Sequence, residues 1–124
     1  MGMVKKIRIK RVYEEPSAQD GYRVLVDRLW PRGMQKEQLK IDFWAKEWAP
    51  SDELRKWFAH DPQKWEAFSK KYVEELTSKE NAIKEHLSNC PSPTVTLLYS
   101  AKDRLHNQAV VLKSFIESKL KDNA

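Results

Sequence analysis

Residues 4–13, VKKIRIKRVY, alternate polar Lys6, Arg8 and Lys10 with apolar Ile7 and Ile9. That two-residue period predicts a strand with one wet face, at or near a sheet edge. The following EEPSAQDG breaks the alternation with Pro16 and Gly21. Residues 22–30 predict a second strand, whose unbroken Val24-Leu25-Val26 implies burial on both faces, as at the centre of an α/β sheet. TVTLLYS at 94–100 has the same character and predicts a third strand.

The long segment between the second and third strands reads as helical. Within KEQLKIDFWAKEW at 36–48, Leu39, Phe43 and Trp44 fall near helical spacing, while Ile41 and Trp48 sit off that register. A clearer start follows Pro50. Ser51 is a candidate N-cap, Asp52 and Glu53 suit the positive helix end, and Leu54, Trp57 and Phe58 form an i, i+3, i+4 stripe over 51–58. Asp61 is placed to cap the next helix, with Pro62 at its first position. Trp65, Phe68, Tyr72 and Leu76 then mark one buried face. A further helix is predicted at 79–88. After the third strand, AKDRLHN leads into a last helix with Ala109, Leu112, Ile116 and Leu120 on one face, capped by Asn107 or Asp103. A strand, a helical excursion and another buried strand make a crossover between parallel strands. The expected fold is one α/β domain over 1–124, a short and largely parallel sheet flanked by helices.

Composition narrows the classes. A chain of 124 residues supports one core, and a charged fraction of 33% with a hydrophobic fraction of 40% excludes a disordered chain. No apolar run reaches the roughly 20 residues of a membrane span, and the basic start MGMVKKIRIKR lacks the apolar stretch of a secretory signal. A cytoplasmic location without membrane partners is expected. The single cysteine, Cys90 in SNCPSP, excludes an internal disulfide and a cysteine-based zinc cage, and reads as a loop thiol. With three glycines there is no phosphate-cradling glycine loop and no dinucleotide fingerprint. Three scattered histidines argue against a metal, with His60, Asp61 and His106 the one set that could converge. No cofactor is expected.

The net charge of +5 is unevenly placed. Residues 1–36 hold nine Lys/Arg against four Asp/Glu, whereas residues 37–124 hold fourteen of each. A basic zone of that size suits a phosphate- or carboxylate-bearing ligand better than a long nucleic-acid track.

In parallel α/β sheets ligands bind beyond the carboxyl ends of the strands. The second predicted strand leaves the core as LVDRLWPRG, delivering Arg28, Trp30, Arg32 and Gly33. The third delivers Ser100, Asp103, His106 and Asn107 ahead of a helix start, where backbone N–H groups attract anions. If the two strands are neighbours, Arg28 or Arg32 can close on an anion with a bidentate fork, and Trp30 offers a flat wall. A purely structural reading also stands: Arg28 paired to Asp27 or a helix carboxylate, Trp30 in the core, Pro31 and Gly33 only turning the chain. His106 is a candidate acid/base group oriented by Asp103 or Asp61. His60, between two helices, is either a structural residue or one presented to the cleft by a short turn.

Three blocks, DGYRVLVDRLWPRG, APSDELRKWFAHDPQKWEAFSKKYVEEL and TLLYSAKDRLHNQAVVL, are similar over nearly the whole chain to the domain of unknown function 488 family, in its YeaO-like branch of small bacterial cytoplasmic proteins. The resemblance implies a small α/β domain with motif residues Arg28, Trp30, Arg32, Arg55, His60, Ser100, Asp103, His106 and Asn107. It adds Arg55 as a third cation for the pocket. Longer members of the wider family look to carry a Cys-His-Arg run after the last strand, where this chain has Leu105-His106-Asn107. Thiol chemistry at that position is therefore not expected here.

Three functions compete at this point. The first is a site for a small phosphorylated or nucleotide-like anion, with Asp103 and His106 as the acid/base pair if it is an enzyme. The second is a nucleic-acid-binding module using Lys6, Arg8 and Lys10. The third is a protein-interaction domain, such as a homodimer.

Overall fold

A computed structural model describes residues 4–122. Four strands form one all-parallel sheet: β1 (Lys6–Arg11), β2 (Tyr22–Leu25), β3 (Phe43–Trp44) and β4 (Thr94–Tyr99), in the order β1-β4-β2-β3. The helices are α1 (Lys36–Leu39), α2 (Asp52–Phe58), α3 (Trp65–Thr77), α4 (Glu80–Ser88) and α5 (Gln108–Asp122). Single 3-10 turns occupy Ala18–Asp20, Lys46–Trp48 and Pro62–Lys64.

The apolar runs in β2 and β4 are explained by two cores. Val24, Val26, Val95, Leu97 and Tyr99 face the larger core with α2, α3, α4 and α5, while Leu25 and Leu98 face a smaller one with Val12 and Leu39. Alternation therefore sends apolar side chains to both faces, as a central parallel strand requires. β1 is an edge strand, and only Ile7 of its six residues is buried.

One predicted element is corrected. The helix expected over 36–48 ends at Leu39, where Lys40 turns the chain with φ 51°. Phe43 and Trp44 then pair in parallel with Val24 and Leu25 as a fourth strand. Phe43 packs against the larger core and Trp44 against the smaller. Adjacent bulky residues bound for opposite faces need a two-residue period, which a helix cannot supply. The second strand also stops earlier than position 30, at Leu25, with only the Val26 amide still bonded across, to Leu98 O at 2.9 Å.

Helix ends follow the local signals. Ser51 Oγ accepts from the Leu54 amide, Asp61 caps the 62–64 turn that runs into α3, and Phe68, Tyr72 and Leu76 form its buried face. Gly21 has φ 63°, and a Cβ there would lie 2.3 Å from Thr94 O, so only glycine fits beside β4.

Candidate functional site

β2 and β4 are hydrogen-bonded neighbours, so the segments after Leu25 and after Tyr99 leave the sheet side by side. Between them and α2 opens a cleft of about 720 Å³. Arg28, Trp30, Arg32, Arg55, His60, Ser100, Asp103, His106 and Asn107 all line it, together with Asp27, Lys102, Gln108, Phe58 and Phe68. The nine residues singled out from the sequence thus converge from three separate segments.

Their local roles differ. Arg28 donates from Nε to Pro50 O at 2.9 Å and stands 3.9 Å from Asp52, so its partners are a carbonyl and a helix carboxylate rather than Asp27. Trp30 donates to Met34 O at 2.7 Å and meets Trp44 edge-on at 5.4 Å, which makes it part of the smaller core as well as the cleft wall. Asn107 is 2% exposed, and its side chain is fully engaged: Oδ1 caps α5 by accepting from Ala109 and Val110, and Nδ2 donates to Asp103 O.

The remaining arginines are less engaged. The Arg32 side chain is exposed and has no hydrogen bond or ion pair to any described residue. Arg55 reaches Asp52 through Nη2 at 3.2 Å, but its Nε–H is out of solvent contact with no acceptor among the described residues. Elsewhere the protein completes its structural arginines: Arg23 binds Asp20, Leu39 O and Lys40 O, and Arg11 binds Ser100 O and Ala101 O. The latter pair steadies the loop after β4.

His106 is oriented by Asp103 rather than by Asp61. Its ring Nδ1 lies 2.9 Å from Asp103 Oδ2, and its edge meets Trp65 at 5.2 Å. Asp103 Oδ1 also accepts the Leu105 and His106 amides, and these bonds hold its carboxyl below the usual carboxylate range, the Leu105 amide most of all. His60 reaches the cleft because Ala59 and His60 both take left-handed backbone, φ 47° and 57°. Two such non-glycine residues in succession each carry a cost of about 1–2 kcal/mol.

Sequence reasoning gave too little weight to Asp27. It is 9% exposed and accepts from Ser100 N at 3.1 Å, Ser100 Oγ at 2.5 Å and Gln108 Nε2 at 2.5 Å. Burial pushes its carboxyl above the ordinary range, against the opposing pull of the Ser100 and Gln108 bonds. The available signal was a carboxylate set directly after the buried run Val24-Leu25-Val26. Among the described residues no cluster of three or more His, Cys, Asp or Glu is arranged to hold a metal ion.

A parallel four-stranded α/β domain with a cleft at the carboxyl ends of its two central strands is the class defined by this geometry. Residues 6–124 match the family model described as "Inactive DUF488-N3 subclade", and the chain belongs to the DUF488 family. It is 44% identical to the Escherichia coli K12 protein named "Uncharacterized protein YeaO" over 112 residues, covering 90% of this chain and 97% of that one. It is 46% identical over 71 residues to Rv3073c of Mycobacterium tuberculosis H37Rv, an alignment spanning 57% of this chain and 60% of the relative. No solved structure matches. Among the described residues no helix is long and apolar enough to cross a membrane.

Proposed function

We propose that the cleft beyond β2 and β4 binds a small phosphorylated or nucleotide-like anion. The observation that carries this reading is cationic capacity along the wall of one cavity: the partnerless Arg32 guanidinium and the part-exposed Arg55 guanidinium, whose carboxylate partner is Asp52 alone. Lys102 and Arg28 add positive charge, Phe58 and Phe68 add apolar wall, and about 720 Å³ suits a small molecule. The description of the subclade as inactive favours binding without turnover. If the ligand is turned over, His106 held by Asp103 is the acid/base group.

The nucleic-acid reading has less support. Lys10 bonds Asp20 and Glu15 O, Arg8 bonds Gln19 O and Arg11 bonds Ser100 O and Ala101 O, so three of the four basic side chains on β1 already have partners. Titration calorimetry at fixed ionic strength with inorganic phosphate, nucleotides and phosphorylated sugars tests the proposal. Stoichiometric binding is expected, weakened roughly 10- to 100-fold by Arg32→Ala, the range of one charge-assisted hydrogen bond. Wild-type affinity in the folded variant, or no binding by any of these compounds, refutes it.

A further inference from the structure

We propose that Asp27 restricts the cleft to oxyanions that bring a hydrogen-bond donor of their own, either a phosphate retaining an O–H or a phosphate with a neighbouring hydroxyl, and that it rejects sulfate. This inference rests on the anion reading above and goes beyond it by naming what the ligand must carry.

The argument starts from what a carboxylate can do. An ionised carboxylate only accepts, at about four positions on its two oxygens. At Asp27, Ser100 fills two positions on Oδ2 and Gln108 one on Oδ1. All three donors are uncharged. Among the described residues no cation bonds the carboxylate, which lines the cavity with acceptor capacity left on Oδ1. Arg28, Arg32 and Arg55 share the cavity and draw an anion towards it. An oxyanion whose oxygens only accept would then meet Asp27 acceptor to acceptor, in a setting too buried for water to separate the charges. A ligand O–H converts that contact into an O–H···O⁻ bond, among the strong hydrogen bonds of proteins. Phosphate and sulfate are both tetrahedral. At neutral pH phosphate keeps an O–H and sulfate has none.

The test measures inorganic phosphate and sulfate binding to the wild-type protein and to Asp27→Asn, by calorimetry at one ionic strength. Phosphate is expected to bind the wild type at least about tenfold tighter than sulfate. In Asp27→Asn the amide donates to sulfate, and the ratio falls towards one. In the variant the amide oxygen keeps the two Ser100 bonds, and the Gln108 amide must turn over so that its oxygen faces the new N–H₂ group; Asp27→Ser replaces it if Asp27→Asn does not fold. Equal phosphate and sulfate binding by the wild type overturns the inference while leaving the anion site standing. So does a preference that survives both substitutions. Failure of phosphate, sulfate and phosphorylated compounds alike removes both proposals. At about pH 8 a phosphate monoester has lost its last proton. Glycerol phosphate binding better than methyl phosphate there assigns the donor to a carbon hydroxyl; equal binding of the two, stronger at about pH 6, assigns it to the phosphate.

Discussion

Asp20 has no exposed surface, and Arg23 beside it is 5% exposed. Arg23 Nη1 lies 2.5 Å from Asp20 Oδ2, Lys10 Nζ is 3.1 Å from both carboxylate oxygens, and the Ser17 amide donates at 2.9 Å. Asp20→Ala leaves the Arg23 guanidinium buried without a counter-charge. Breaking a buried pair from one side costs about 3–5 kcal/mol, a large share of the roughly 5–15 kcal/mol that holds a domain together. With a urea slope of about 1.5–2 kcal/mol/M, the denaturation midpoint should fall by roughly 1.5–3.3 M.

The double variant Asp20→Ala/Arg23→Met removes both charges, and replacing a buried pair by apolar groups is often close to neutral. It should therefore be more stable than Asp20→Ala alone, although Leu39 O and Lys40 O lose their donors. Burial by itself would raise the Asp20 carboxyl, but the Ser17, Lys10 and Arg23 bonds outweigh it and hold it below its ordinary 3.8. Its contribution is present above that pH and is lost as pH falls through the folded value, so wild type and variant should converge in acid. A loss below about 1 kcal/mol at neutral pH, or single losses that simply add in the double variant, would falsify this account.

Two further predictions concern stability. His86 bonds the Tyr22 hydroxyl at 3.0 Å and stacks on Phe43 at 4.0 Å, and its desolvation lowers its pKa from 6.5. The folded state resists protonation, so stability should decline as pH falls below about 6.5 towards 5; urea midpoints that fall as steeply in His86→Gln as in wild type remove His86 as the cause. Gly21→Ala should cost about 2 kcal/mol or more, since its positive φ and the 2.3 Å approach of Thr94 O both oppose a side chain. Gly33→Ala, at φ 78° with open space around it, should cost only about 1 kcal/mol, and equal thermal shifts for the two glycines would contradict the steric argument.

Much of the fold was legible in the sequence because its signals are local. The alternation in β1, the apolar runs of β2 and β4, Ser51 and Asp61 as caps and the Phe68–Tyr72–Leu76 face each lie within a few residues of what they specify. Phe43 and Trp44 were misread because a two-residue strand carries too little pattern to outweigh helix-like neighbours. Seven of the cleft-lining residues were legible from the rule that strand ends meet ligands, applied to LVDRLWPRG and YSAKDRLHN, while Arg55 came from the family resemblance and His60 from its turn between two helices.

What each lining residue does was decided in three dimensions. Asn107 turned out to be occupied as a cap, and Trp30 to be anchored by Met34. Arg55 kept a donor without an acceptor, and Asp27 drew its partners from Ser100 and Gln108 more than seventy positions away. Hydrogen-bond satisfaction is a property of the whole set of neighbours. The sequence alone therefore determined most of the elements, through period and capping, and most of the cleft lining, through the strand-end rule. Only the tertiary structure decided which of its polar atoms have partners and which are left without them.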